Sequence, residues 1–253
     1  MIAVDEAWLL GWLGAFLLPL FRVLALFSVA PVLSNRAFPV RARVAAAAAV
    51  ALVTAPSVDL PPGALAMDAS LLPTVAREVI AGIVIGFAAR LLFAAFEIAG
   101  ETIGLQTGLS FAGFFDPQSG SANAVGRFVG TIVALAFVAI NGPLALIAAV
   151  IHSLEVFPPG RLELPALSGN GLIGLGAEVF ALALGVALPF IALLLFVNLA
   201  LGVVSRVAPQ FNVFAVGFPV TISAGLLLLT LGLSAIEAPL AESLGRFLEQ
   251  VLR

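Results

Sequence analysis

A chain of 253 residues that is 62% hydrophobic and 10% charged, with a mean hydropathy of +1.21, has the composition of an integral membrane protein and leaves nothing that reads as a soluble domain. The net charge of −3 is small and dispersed, all 11 basic residues are arginine, and no basic patch invites nucleic acid. Cysteine is absent, which excludes a disulfide framework and a thiolate metal site.

Asp5 and Glu6 stand where a secretory signal carries basic residues, and the apolar run behind them is too long for a signal core. It is expected to be retained as a membrane segment. This first segment, Ala7 to Leu33, exceeds the roughly 20 residues needed to cross a bilayer core of about 30 Å. Pro19 and Arg22 interrupt it, which implies a kink and a charge satisfied by protein and not by lipid. Arg36, Arg41 and Arg43 cluster in the next connection, so the positive-inside rule puts that loop in the cytoplasm and the N-terminus outside.

Segment two, Val44 to Ala55, is alanine-rich and short for a crossing, and an acidic, proline-rich connection follows it. Segment three runs from Leu71 to Phe96 and holds Gly82-x-x-x-Gly86, a helix-contact spacing. It leads into a polar stripe. On a helical wheel Arg90, Glu101, Gly104 and Gly108 all fall within roughly 40° of Glu97. Charges and glycines on one face suit a buried polar, helix-contact stripe. After Gly108 the helical pattern fails, and residues up to Gly126 offer glycines, Asp116-Pro117 and three phenylalanines, an irregular loop with bulky apolar tips. Such backbone is tolerated at membrane depth only where protein buries it or it lines a cavity, which points to the pore-facing part of a conduit.

Segment four, Phe128 to Ile151, opens on Gly126-x-x-x-Gly130 and is broken by Asn141-Gly142-Pro143. His152 to Gly176 reads as an outer loop. Segment five, Leu172 to Val204, carries Glu178, Pro189 and Asn198 inside an apolar run, and segment six covers Val213 to Leu233. The turn between them has a single charge, Arg206, and so falls inside. From Leu240 to Arg253 apolar residues recur at i, i+3, i+4 and i+7, the pattern of an amphipathic helix for an interface or a partner helix. The fold class expected is an all-α membrane protein of about six apolar segments with both ends outside.

Chemistry finds little purchase. Ser110 with the sole histidine, His152, resembles an intramembrane protease only superficially, since nothing brings a base within reach of the hydroxyl. Glu97 and Glu101 at i, i+4 lack the histidines of a carboxylate-bridged metal site. An ion-coupled secondary transporter is the serious alternative, because Glu97, Glu101, Glu178, Asn198 and Pro189 are of the types that such proteins place near mid-membrane. Against it stands the lack of inverted halves in the sequence. A purely structural pairing of these charges is the plainer possibility.

Three separated motifs carry a resemblance over essentially the whole chain. They are Gly100-Glu-Thr-Ile-Gly-Leu-Gln-Thr-Gly-Leu-Ser-Phe111 with Asp116-Pro117, then Asn141-Gly142, then Ser205-Arg-Val-Ala-Pro-Gln-Phe-Asn-Val-Phe-Ala-Val-Gly-Phe-Pro219. In that order they resemble the FliR family of flagellar biosynthesis proteins and its injectisome counterparts. A histidine commonly follows Asn-Gly in that family, and here the position is Pro143. The resemblance implies a non-enzymatic subunit of a type III export gate in the bacterial inner membrane, without cofactor or metal and partly raised toward the periplasm. It would assemble with FliP-like, FliQ-like and FlhB-like subunits and pass unfolded flagellar proteins. It further implies a FliP-like part over 1–171 with a pore loop at 108–126, a FliQ-like hairpin over 172–239, and the C-terminal helix at 240–253. By the same match Phe111, Phe114 and Phe115 would plug the closed pore, with bends at Gly113, Asp116, Pro117 and Gly120, though a static buried loop is the other reading. Arg206, Pro209, Gln210 and Asn212 would form the cytoplasmic entrance.

Overall fold

The computed structural model describes residues 6–58, 71–108, 124–159, 169–208, 210, 213–232 and 236–252. Among them all regular structure is helical, as expected of an all-α membrane protein: α1 (Glu6–Val29), α2 (Val40–Thr54) with a 3-10 turn at Ala55–Ser57, α3 (Leu71–Thr107), α4 (Ala124–Ala139), α5 (Gly142–Val156), α6 (Gly169–Val207), α7 (Val213–Gly232) and α8 (Glu237–Leu252). Four of these helices are long and apolar enough to cross a membrane, or up to six spans if two interrupted helix pairs each count as one.

Local chemistry sets several boundaries. α2 starts at Val40 and, with the 3-10 turn, makes an 18-residue apolar stretch, longer than the alanine run alone suggested. α3 stops where Gly108 takes φ 78°, a left-handed conformation that costs a residue without Cβ little. Asn141, at φ 59°, separates α4 from α5, and a proline in the first turn of α5 suits a helix start that has no intrahelical use for its N–H. α1, α6 and α7 instead run on through Pro19, Pro189 and Pro219. Membrane helices tolerate such prolines when neighbouring groups satisfy the freed carbonyls.

The chain divides into two compact units, each assembled from discontinuous stretches. One comprises residues 1–91, 141–175 and 244–253, the other 92–140 and 176–243. α3, α6 and α8 each contribute to both. In the first unit α2 packs on α1. Leu240, Leu244, Phe247, Leu248 and Val251 on α8 are buried, so its apolar face is covered by this chain itself.

Candidate functional site

Two polar constructions stand out, one in each unit. In the first, Arg22 of α1 is fully buried and so is Glu78 of α3. Arg22 Nε donates to Glu78 Oε2 at 2.8 Å. Its Nη1 donates to the Ser153 carbonyl at 2.8 Å and to Ser153 Oγ at 3.0 Å, and its Nη2 to the Phe157 carbonyl at 3.0 Å. Ser153 and Phe157 close the C-terminal end of α5, where the helix presents carbonyls and partial negative charge that suit a guanidinium. The approach of α3 is set by Gly82, one turn beyond Glu78 on the same face. A Cβ there would collide with the Arg22 carbonyl oxygen and lie 2.9 Å from Ala25 Cβ. Gly86 continues the contact, its absent side chain leaving room for the Leu26 carbonyl and the Ala30 nitrogen. The spacing Gly82-x-x-x-Gly86 therefore works as a helix contact. One guanidinium thus ties α1, α3 and α5 together with each of its three nitrogens used.

In the second unit the end of α3 is held from two sides. Gly100 and Gly126 let α3 and α4 cross at backbone distance: a Cβ on Gly100 would lie 2.9 Å from Val129 Cβ and 3.0 Å from Gly126 Cα. Glu101 lies over Gly126 and Glu97 over Gly130, so the glycines of one helix receive the carboxylate stems of the other. Beyond this crossing Phe93 meets Phe137 edge to face, ring centroids 5.2 Å apart, beneath the same helix pair. Nearer its C-terminus Thr107 is fully buried and donates through Oγ1 to the Gly104 carbonyl. Its own carbonyl accepts from Thr221 Oγ1 of α7 at 3.3 Å, and Gly225, one turn further, leaves the space that the Thr107 methyl group occupies. Farther along, Gly232 makes room for the Phe190 ring of α6. Residues 109–123 therefore leave from an anchored helix end and return to another, since Val125 and Gly126 are buried at the start of α4.

The residues expected to act fall as follows. Phe111, Gly113, Phe114, Phe115, Asp116, Pro117 and Gly120 lie outside the described residues, as do Pro209 and Asn212. Arg90, Glu97 and Glu101 are exposed on this chain, Gly104 is buried and Gly108 half-buried. α3 turns its alanine-rich side inward, with Ala88, Ala89, Leu92, Ala95, Phe96 and Ala99 buried, and leaves those three charges at the edge of its contacts. Arg206 sits exposed in the last turn of α6, where a cation complements the helix dipole, and Gln210 is exposed beyond it. Glu178, half-buried on α6, has a buried Oε2 without a hydrogen-bond partner among the described residues. His152 and Glu155 form an exposed pair at 3.3 Å. Glu78, Ser153, Thr107 and Thr221 were not singled out from the sequence. Only Glu78 gave a signal there: a carboxylate in an apolar helix needs a partner, and Arg22 was the unmatched charge in another.

The family model described as bacterial export proteins, family 1, matches residues 13–246. The chain is 38% identical over 244 residues, 95% of this chain and 91% of the relative, to the flagellar biosynthetic protein FliR of Escherichia coli (strain K12). It is 37% identical over 245 residues, 96% of this chain and 93% of the relative, to the FliR of Pectobacterium carotovorum subsp. carotovorum. With the FliR of Bacillus subtilis (strain 168) the identity is 30% over 227 residues, 88% of this chain and 87% of the relative.

Proposed function

Because this chain belongs to the bacterial export proteins, family 1, we propose that it is a membrane subunit of the flagellar protein export apparatus whose loop at 108–126 plugs the export path. It performs no chemistry and contributes a gated conduit for unfolded flagellar proteins. One observation carries the gating part. Thr107 and Gly108 at one end of the loop and Val125 and Gly126 at the other are fixed by α7 and by the α3–α4 crossing. A segment that must block a pore and move aside needs ends that do not move with it. Aromatic side chains can seal a narrow pore by dewetting, and Phe111, Phe114 and Phe115 are the sealing residues, with Gly113, Asp116, Pro117 and Gly120 providing bends.

Arg206, Pro209, Gln210 and Asn212 form the cytoplasmic entrance beside an FlhB-like subunit. Arg90, Glu97 and Glu101, exposed on the chain alone, meet FliP-like or FliQ-like neighbours in the assembled gate, which lies in the inner membrane partly raised toward the periplasm. The test has two arms. Tagged chain extracted in mild detergent is expected in one particle with FliP-like and FliQ-like subunits. Replacement of Phe114 and Phe115 by glycine is expected to make cells leak small ions. Recovery of the chain alone would favour an ion-coupled transporter acting through Glu97, Glu101 and Glu178. Unaltered permeability would remove the plug.

A further inference from the structure

The start of α2 is electrostatically frustrated. A helix N-terminus carries partial positive charge and unsatisfied N–H groups, and it is ordinarily capped by an acceptor side chain or accompanied by a carboxylate. α2 has neither: Pro39 occupies the capping position, no side chain caps, and no acidic residue lies in the first turn. Arg41 and Arg43 stand there instead, with Arg36 just before, the two outer ones exposed and Arg43 half-buried. The Asn35 side chain holds this connection in shape by accepting from the Ala37 N–H at 2.9 Å. The Asn35 carbonyl takes the Phe38 N–H at 3.0 Å and Arg43 Nη2 at 3.3 Å. Arg43 Nε, buried, has no hydrogen-bond partner among the described residues. Three cations thus stand in the connection before α2 and in its first turn, at the positive end of the helix, one with an unused donor.

The same helix exposes an apolar face beside the cations. Val40 and Val44, one turn apart on the same side, sit exposed next to the arginines, and only 22% of this candidate span is buried. A ligand for the whole arrangement needs an anionic, oxygen-rich head within arginine reach and an apolar body lying along α2. A free phosphate satisfies the first requirement and not the second. We propose that the Arg36–Arg41–Arg43 cluster with the N-terminus of α2 binds the phosphate of an anionic phospholipid, whose acyl chains lie along the Val40–Val44 face. The lipid supplies the missing counter-charge, and by the positive-inside rule it belongs to the cytoplasmic leaflet.

The full chain, purified in neutral detergent, would be titrated with phosphatidylglycerol, with phosphatidylcholine and with inorganic phosphate, following bound lipid by native mass spectrometry and protection by thermal unfolding. Each arginine near an anionic surface is worth about fivefold in affinity, so phosphatidylglycerol is expected to bind on the order of 100-fold more tightly than phosphatidylcholine. The exposed double variant R36Q/R41Q is expected to lose about 25-fold of that preference, and R36Q/R41Q/R43Q nearly all of it. R127Q, exposed on α4, is expected to keep it. Equal binding of the two lipids by the wild type would overturn the proposal. So would a preference that survives the double variant, or protection by inorganic phosphate equal to that by phosphatidylglycerol.

Discussion

Removing one partner of the Arg22–Glu78 pair should do more damage than removing both. At an effective dielectric of about 20, unit charges about 4 Å apart attract by roughly 4 kcal/mol, against a desolvation cost of several kcal/mol for each ion. What makes the buried arginine tolerable is that Ser153 and Phe157 supply three further acceptors. Arg22→Met leaves the Glu78 carboxylate almost wholly excluded from water and removes those bonds, at an expected cost of about 3–5 kcal/mol. Glu78→Gln keeps an oxygen for Arg22 Nε and leaves the guanidinium with neutral acceptors, so about 2–3 kcal/mol is expected. Arg22→Met with Glu78→Leu removes both charges and should lie within about 1 kcal/mol of the wild type or above it. Unfolding in mild detergent, run as a double-mutant cycle, measures the coupling. A double variant no more stable than Arg22→Met would show that the two charges do not compensate one another, and the reasoning would fail.

Other substitutions probe the close approaches. Gly82→Ala drives a methyl group into the Arg22 backbone, which cannot swing away as a side chain can, and about 1–3 kcal/mol of destabilisation is expected in the same unfolding assay. Thr221→Val removes the hydroxyl that donates to the Thr107 carbonyl, for about 0.5–1.5 kcal/mol; under the plug reading it should also raise ion leak, which a merely structural bond would leave at the wild-type level. Val32 holds φ 66°, a conformation costly for a β-branched residue, so Val32→Gly should be neutral or stabilising by about 1 kcal/mol, and a clear loss of thermal stability would contradict the strain.

The features legible in sequence were those whose cause is local. Gly82 and Gly86, Gly126 and Gly130, the break at Asn141, the end of α3 at Gly108 and the apolar face of α8 all announce themselves within one or two helical turns. Glu78 showed only as a carboxylate in need of a partner, because Arg22 lies 56 residues away. Ser153 and Phe157 lie 131 and 135 residues from Arg22, and their contribution is largely backbone carbonyl, which side-chain patterns never display. Pro19 and Pro189 lie inside α1 and α6, which continue past them, as membrane helices do where neighbours satisfy the freed carbonyl. The compact units were hidden for a related reason: α3 and α6 are each long enough to serve two packing environments, and hydropathy reports only that a run is apolar.

That length has a consequence for the molecule's working state. At 1.5 Å per residue the 37 residues of α3 span about 56 Å and the 39 of α6 about 58 Å, against a hydrocarbon core of about 30 Å. Tilting α6 by 40°, the upper end of what membrane helices adopt, still leaves about 44 Å along the bilayer normal. Its apolar span is only 28% buried by this chain, and Phe180, Leu184, Leu195, Phe196, Leu199 and Val203 are exposed along it. Lipid tails cannot reach all of that surface at once. The stretches beyond the hydrocarbon would face water in an isolated chain, at about 25 cal/mol per Å² of apolar area. Gly185 and Gly202 on the same helix have no atom within 4 Å of where a Cβ would stand, so they leave notches in which a neighbouring helix could approach at backbone distance. An apolar helix too long for the membrane, thinly covered by its own chain and notched by glycine supports the proposed assembly, in which helices of other chains would cover it.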